Sequence, residues 1–307
     1  MSEYEVERRT RLDKFLVQIW PQLDRRAIRR MVKEDQVLIN ETPARKSGQY
    51  VNPGDVVEAT PPQTEEEPKS LLPSPFSLNV VYEDEAVIVT DKPAGMMTHA
   101  KRRWEGETLA HQLRERYPDL AHVGGVERSG IIQRMETDVS GLVLAGRSEE
   151  IYRVLKREAK RQRIDRRYSV LVDGLLEGKD TIVAPIGNVK NTRRRRLKVA
   201  REGRPSRTHY RVLRTYRSGN RHYSLLDVQP ESARLHQMRV HLSWLGHPVV
   251  GDTIYGSSRQ PLLRGRLFMH LGRLSFVHPV TEEKIRIDSE LPAELHSILQ
   301  YLARPGR

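Results

Sequence analysis

An α+β fold in two unequal parts, the larger built on a largely antiparallel mixed sheet, is what this sequence predicts, on three observations. From about residue 77 onward the chain sets short apolar runs of strand length between turns, with few helical stretches and no regular βαβ rhythm. The first 60 residues instead hold two helix-like segments and a short pair of strands. Between them, residues 61–76 are rich in Pro and acid, a composition that forms an extended tether and cannot bury a core. The expected organisation is a small domain over 1–60, a linker over 61–76 and a larger domain over 77–307.

In the small domain, Leu12, Phe15, Leu16, Ile19 and Trp20 recur at helical spacing over residues 11–21. Asp24 is placed to cap a second, basic helix running to about Val32. A strand is expected at Val37-Leu-Ile-Asn40, and Val51-Asn-Pro-Gly-Asp55 forms a turn before the strand Val56-Val-Glu-Ala59. The cations cluster here as Arg25, Arg26, Arg29 and Arg30 on the second helix, and as Arg45 and Lys46 in the loop after Pro43.

In the larger domain, strands are expected at Val87–Thr90, Gly141–Ala145, Tyr168–Val172, Tyr210–Leu213 and Tyr223–Val228. Helices are expected at Thr108–Arg116, Glu149–Gln162 and His236–Leu245, the last turning Leu235, Met238, Leu242 and Leu245 toward the core. Trp20, Trp104 and Trp244 are expected in core or edge packing.

Composition narrows the function classes. No run approaches the roughly 18 apolar residues that cross a bilayer, and the acidic start lacks a secretory pattern, so no membrane partner and a cytoplasmic location are expected. Cysteine is absent, which removes disulfides, a thiolate nucleophile and any Cys-based zinc site. A formal net charge of +13, with further runs at Lys156–Arg167 and Arg193–Arg196, points to a polyanionic partner, because cations that neutralise phosphates release condensed counterions.

The most telling segment is Gly130-Ile-Ile-Gln-Arg-Met-Glu-Thr-Asp-Val-Ser-Gly-Leu142. It resembles the signature loop of the RluA-type RNA pseudouridine synthases, with Glu136 at the position of that family's catalytic Asp. Gln133, Met135 and Val139 also depart from the pattern, while Arg134 and Ser140-Gly141-Leu142 keep it. Further stretches carry the resemblance along nearly the whole chain: Tyr82-Glu-Asp84, Asp91-Lys-Pro-Ala-Gly95 with His99, Arg167-Tyr168-Ser-Val-Leu-Val-Asp-Gly174, and Arg234-Leu-His-Gln-Met-Arg239-Val-His-Leu242. Gly246-His-Pro-Val-Val-Gly-Asp252, Tyr255-Gly256, His270 and Leu274-Ser-Phe-Val-His-Pro279 complete it. Arg11-Leu-Asp13-Lys14-Phe15-Leu16 and Pro53-Gly54-Asp55 resemble the S4 RNA-binding domain, which presents a basic face to structured RNA.

The resemblance implies an α+β pseudouridine synthase domain behind a mobile, S4-like RNA grip, acting on structured RNA, ribosomal rather than transfer RNA, as a monomer. It implies uridine isomerisation without metal or cofactor. Glu136 is then the reacting carboxylate, Arg239 its orienting cation, and Tyr168 the ring that stacks on the target base and the hydroxyl for proton transfer. Arg134 is the side chain that enters the RNA stack when the base is flipped out. Two readings of Glu136 stand: a site re-tuned to the longer acid, with altered or reduced activity, or a catalytically inactive RNA-binding protein acting in ribosome assembly or RNA folding. Asp138 is a poorer carboxylate candidate, about 6–7 Å along an extended chain from Glu136. Glycoside hydrolysis needs two facing carboxylates, which Glu136 and Asp138 do not provide. A zinc site from His236, His241 and His247 would need positions that share no helix face.

Overall fold

A computed structural model describes residues 2–20, 25–60, 76–100, 108–125, 128–189, 196–232, 234–257 and 261–304. The chain forms two compact units, a smaller N-terminal one and a larger one. The expected cap Asp24, most of the expected linker, Trp104 and Arg193–Arg195 lie outside the described residues.

The smaller unit comprises β1 (Ser2–Glu5), β2 (Thr10–Arg11), α1 (Leu12–Ile19), α2 (Arg25–Lys33), β3 (Val37–Ile39), β4 (Thr42–Pro43), β5 (Tyr50–Val51) and β6 (Val56–Ala59). Helix α1 buries Leu12 and Leu16, and α2 buries Ile28, Met31 and Val32, which together with Trp20, Val37 and Val57 make one core. Tyr4 meets Trp20 edge to face, with ring centroids 5.5 Å apart. Strand β1 was not expected, since Ser-Glu-Tyr-Glu is polar and acidic. It forms as an edge strand, pairing β6 alone among the described residues, with Tyr4 as its inward contact. Arg29, Arg30, Arg45 and Lys46 are exposed, as an RNA-facing surface requires, and the side chains of Arg25 and Arg26 lie outside the described residues.

The larger unit runs β7 (Val80–Glu83), β8 (Val87–Lys92), α3 (Leu109–Arg116), β9 (Ser140–Gly146), α4 (Glu149–Lys160), β10 (Asp165–Asp173), β11 (Lys179–Val183), β12 (Ile186–Asn188), β13 (Leu197–Val199), β14 (Arg207–Ser218), β15 (Arg221–Pro230), α5 (Gln237–Trp244), β16 (Met269–Val277), β17 (Lys284–Asp288) and α6 (Ala293–Leu302). Its main sheet has the order β11-β14-β15-β10-β16-β9-β8-β7, with β17 on β16. Every pairing is antiparallel except β16 with β9, which makes the sheet mixed and largely antiparallel. Helices α3 and α4 begin at Thr108 and Ser148, whose hydroxyls accept the backbone N–H of His111 and Ile151. Phe76, the last residue of the expected linker, packs on the core of this unit and its carbonyl accepts from Gln112 at 2.6 Å.

Strand β9 is the hinge of the architecture, because all seven of its residues are buried and it carries the chain out of the Gly130–Val139 loop. Gly141 sits there at φ +121°, and a Cβ would lie 2.4 Å from the Leu271 carbonyl oxygen of the parallel neighbour. Only Gly lets the two backbones approach so closely. Gly141→Ala is expected to destabilise the fold by about 2 kcal/mol through backbone displacement; an unchanged melting temperature would show that the β9–β16 junction yields freely.

Helix α5 departs from the expected pattern. Leu242 is buried and Met238 and Leu245 are partly so, but Leu235 is 44% exposed and Trp244 58% exposed. Leu235 precedes the helix, and besides the Leu242 side α5 also buries Gln237, Arg239, Val240 and His241. The expected apolar stripe is kept in part, and buried polar side chains are added around it.

Candidate active site

The loop preceding β9 is held at every step by groups outside it. Thr98, buried on the segment after β8, uses one hydroxyl to donate to the Met135 carbonyl at 2.7 Å and accept the Met135 N–H at 3.1 Å. The Thr137 carbonyl accepts the Gly95 N–H at 2.8 Å and also faces the Lys92 ammonium. Leu267 N–H donates to the Asp138 carbonyl at 3.1 Å. Lys92 is fully buried and donates to the carbonyls of Pro93 and Met96; burial, aided by the Arg266 charge, pulls its pKa down to about 7. Where the loop joins β9, the Ser140 hydroxyl meets His270 Nδ1 at 3.0 Å and accepts from Arg266 at 2.9 Å. Buried Ile131, Ile132, Met135 and Val139 anchor the loop in the core, leaving Arg134 and Asp138 exposed and Glu136 in between.

This fixation places Glu136 against α5. Arg239 Nη1 donates to Glu136 Oε2 at 2.5 Å, while Arg239 Nε and Nη2 clamp Asp252 through bonds of 2.7 and 2.8 Å. Asp252 is completely buried and also accepts the N–H groups of Ile254 and Tyr255. The guanidinium is thus locked from one side by a bidentate carboxylate and presents its remaining edge to the other. Burial opposes the Arg239 charge, but the Asp252 hydrogen bonds and the two carboxylate charges outweigh it and raise its pKa. Burial likewise opposes the Asp252 charge, and Arg239 with the two backbone donors overcomes it, lowering that pKa. The Glu136 side chain is 26% exposed, and its Oε1 has no hydrogen-bond partner among the described residues. A carboxylate oxygen with a free lone pair, aimed by a fixed cation, can serve as nucleophile or base.

Tyr168 joins this cluster from the middle of β10, beside a register shift between Arg167 and Tyr168 that re-aims the strand. Its ring is buried, and burial first, then the Glu136 charge, raises its hydroxyl pKa, so it is held protonated. His236 closes the site from the start of α5, its Nε2 3.5 Å from Glu136 Oε2.

Of the residues expected from sequence, Glu136, Arg239 and Tyr168 converge, and Arg134 stands exposed on the same loop. The cations Arg29, Arg30, Arg45 and Lys46 belong to the smaller unit. His236, His241 and His247 do not converge: their ring nitrogens meet Tyr255, Thr208 with Ala184, and the Asp173 carbonyl, respectively. The functional partner that sequence reasoning missed is Asp252. It stands within a quoted motif, but its pairing with Arg239 depends on the turn at Gly251, whose φ of +89° lets the backbone press against the Arg266 carbonyl.

Comparison with known proteins places this geometry. Residues 86–244 match the family model described as RNA pseudouridylate synthase, and residues 10–57 match the S4 domain. An uncharacterised RNA pseudouridine synthase of Chloroflexus aurantiacus is 40% identical, over 95% of this chain and 90% of its own length. The ribosomal large subunit pseudouridine synthase D of Neisseria meningitidis is 30% identical, over 95% of this chain and 78% of its own length. Among solved structures, human RNA pseudouridylate synthase domain containing 1 superposes with a TM-score of 0.57 at 26% identity, covering 75% of this chain and 97% of that one.

Proposed function

Because the chain belongs to the RNA pseudouridylate synthase family, we propose that it isomerises uridine in structured RNA, ribosomal rather than transfer RNA, with Glu136 as the reacting carboxylate. The observation that carries this reading is the buried Asp252–Arg239 clamp, which aims an otherwise unoccupied carboxylate oxygen into a half-open site. The S4 domain, the exposed arginines on α2 and the similarity to a large-subunit enzyme support a ribosomal substrate.

The reaction breaks the bond between N1 of the base and C1′ of ribose and rejoins C1′ to C5. The hydrogen on C5 leaves as a proton, N1 gains one, and no water is consumed. Glu136 Oε1 serves either by attacking the sugar carbon or by removing a sugar proton, and both require the ionised acid that Arg239 favours. Tyr168, held protonated, offers its ring to the flipped base and its hydroxyl to proton transfer. Arg134, exposed on the loop, fills the gap that the base leaves. The extra methylene of Glu136 relative to the family's Asp is expected to lower the rate, since misplacement by about 1 Å can cost about 100-fold.

The test is tritium release from ribosomal and transfer RNA carrying uridine labelled at C5. Release by the unaltered protein and its loss in Glu136→Gln are expected. Full release by Glu136→Gln would remove Glu136 from the chemistry, while silence alongside tight RNA binding would favour a non-catalytic role in ribosome assembly or RNA folding. RNA affinity is expected to fall with salt: if three of the six named cations of the small domain touch phosphate, a rise from ~50 to ~200 mM weakens binding about 20- to 40-fold. A salt-insensitive dissociation constant would exclude the basic surface as the RNA contact.

A further inference from the structure

His236 stands in a left-handed conformation, φ +52° and ψ +23°, at the N-cap of α5. L residues use that region sparingly, and such conformations persist where surrounding contacts enforce them. The position commonly goes to Ser, Thr, Asp or Asn, whose side chains cap the first free N–H groups. The His236 side chain makes no capping bond. It reaches instead in two directions, Nδ1 to the Tyr255 hydroxyl at 2.9 Å and Nε2 toward Glu136 Oε2 at 3.5 Å.

The protons in this chain are ordered by chemistry. A lone pair on Nε2 would face a carboxylate, so the Nε2 position carries the hydrogen, and in the neutral ring Nδ1 is left as the acceptor. The Tyr255 hydroxyl donates to Nδ1 and accepts the Leu197 N–H at 3.2 Å, which gives that oxygen one donor and one acceptor role. Tyr255 is itself held in place: its ring packs with Ile186, Leu197 and Val240, and the Arg239 and Arg196 guanidinium carbons lie 5.1 and 5.9 Å from its centroid. Its backbone N–H donates to Asp252, the residue that locks Arg239.

Taking Glu136 as the reacting carboxylate, as proposed above, the geometry points to His236 as a second positioning residue for it, with Tyr255 setting the His236 tautomer. Arg239 holds Glu136 Oε2 by a direct bond from the body of α5, and His236 confines the same oxygen from the helix start. One bonded donor, with a ring edge facing the same oxygen at 3.5 Å, restricts rotation about the Glu136 side chain and leaves Oε1 as the oxygen turned to substrate. A Glu has one more rotatable bond than an Asp, so a second restraint matters more at this position than it would for the shorter acid.

Two measurements on the full chain test this. In protein labelled with 15N-histidine, the His236 ring is expected to show the Nε2–H tautomer, and Tyr255→Phe, which keeps the ring and deletes the hydroxyl, to mix the tautomers. A ring already Nδ1–H in the unaltered protein would overturn the assignment without any reference to activity. In single-turnover tritium release at saturating RNA, His236→Asn is expected to slow the chemical step about tenfold, part of the ~100-fold that full misplacement can cost, with the RNA dissociation constant unchanged. Asn accepts the left-handed backbone, so this variant removes the ring and not the helix start. Tyr255→Phe is expected to cost about threefold alone and nothing further in the His236→Asn background, because it acts through the same ring. An unchanged rate, a loss confined to binding, or multiplicative effects would each overturn the proposal. Glu136→Gln in the same assay separates the two readings: if it keeps the full rate, the carboxylate assignment fails, whereas its loss with an unaffected His236→Asn rejects only the positioning role.

Discussion

Arg239→Ala is expected to abolish measurable isomerisation, a fall of about 1000-fold or more, and to lower stability by about 3–5 kcal/mol. Both effects come from one buried group. The guanidinium meets a fully buried Asp252 with two bonds and Glu136 with a third, so its removal takes the counter-charge from one buried carboxylate and frees the other to rotate. Breaking a buried pair from one side costs about that much because the surviving charge loses its compensation. The pH response is diagnostic. In the unaltered protein the Asp252 pKa is lowered, so its contribution is present above the unfolded value near 4 and is lost as pH falls through the folded value. Without Arg239, the Ile254 and Tyr255 N–H groups still favour the Asp252 charge but its guanidinium partner is gone, so its folded pKa rises and the stability it contributes above the unfolded value shrinks. Thermal melts should show the loss of stability on acidification below about pH 4 diminished in the variant relative to the unaltered protein. An unchanged acid profile together with an intact rate would mean that Arg239 neither holds Asp252 nor directs Glu136. Arg239→Lys separates charge from geometry, since an ammonium cannot make the bidentate bond to Asp252 while reaching Glu136.

The site was legible in the sequence where one residue's identity carries its chemistry, and hidden where a turn brings partners together. Glu136, Arg239 and Tyr168 lie in stretches whose residue order resembles a family pattern, and the structure gathers them. Asp252 and His236 lie in those same stretches, yet their roles depend on backbone conformations that residue order does not announce: the left-handed Gly251 that folds Asp252 under Arg239, and the left-handed His236 that turns its ring toward Glu136. The same limit shaped the fold. Strands such as β8 and β9 were visible because they are runs of buried apolar residues, whereas β1 hid because an edge strand needs only one inward side chain, Tyr4. At α5, helical spacing placed Met238, Leu242 and Leu245 against the core, as found, but also Leu235, which precedes the helix and is exposed; it did not announce that Gln237, Arg239 and His241 are buried too, through hydrogen bonds to Arg207, Asp252, Thr208 and Ala184. Apolar periodicity locates a helix and one of its faces; buried polar side chains are legible only through their partners.

Glu136→Asp is expected to raise the rate of tritium release by up to about 100-fold. The surroundings are what make this substitution informative, because neither wall of the site can follow the side chain. Arg239 is pinned by Asp252, and the loop backbone is pinned on each side of Glu136, at Met135 by Thr98 and at Thr137 by Gly95. Shortening the acid by one methylene therefore draws the carboxylate back by roughly one carbon–carbon bond and leaves cation and loop where they are. Against a near-attack tolerance of about 1 Å, that displacement is enough to decide the rate. If the fixed walls are those of a site built for Asp, as the family resemblance implies, the shorter acid returns the oxygen to the sugar and the rate rises. If the walls have been re-tuned around the longer acid, the same displacement takes the oxygen out of reach and the rate falls. RNA affinity should be indifferent in both cases, since Glu136 carries the same charge as Asp and the basic surface is untouched. A fall in rate at constant affinity would thus refute the damaged-site reading and identify Glu136 as an adapted catalytic acid.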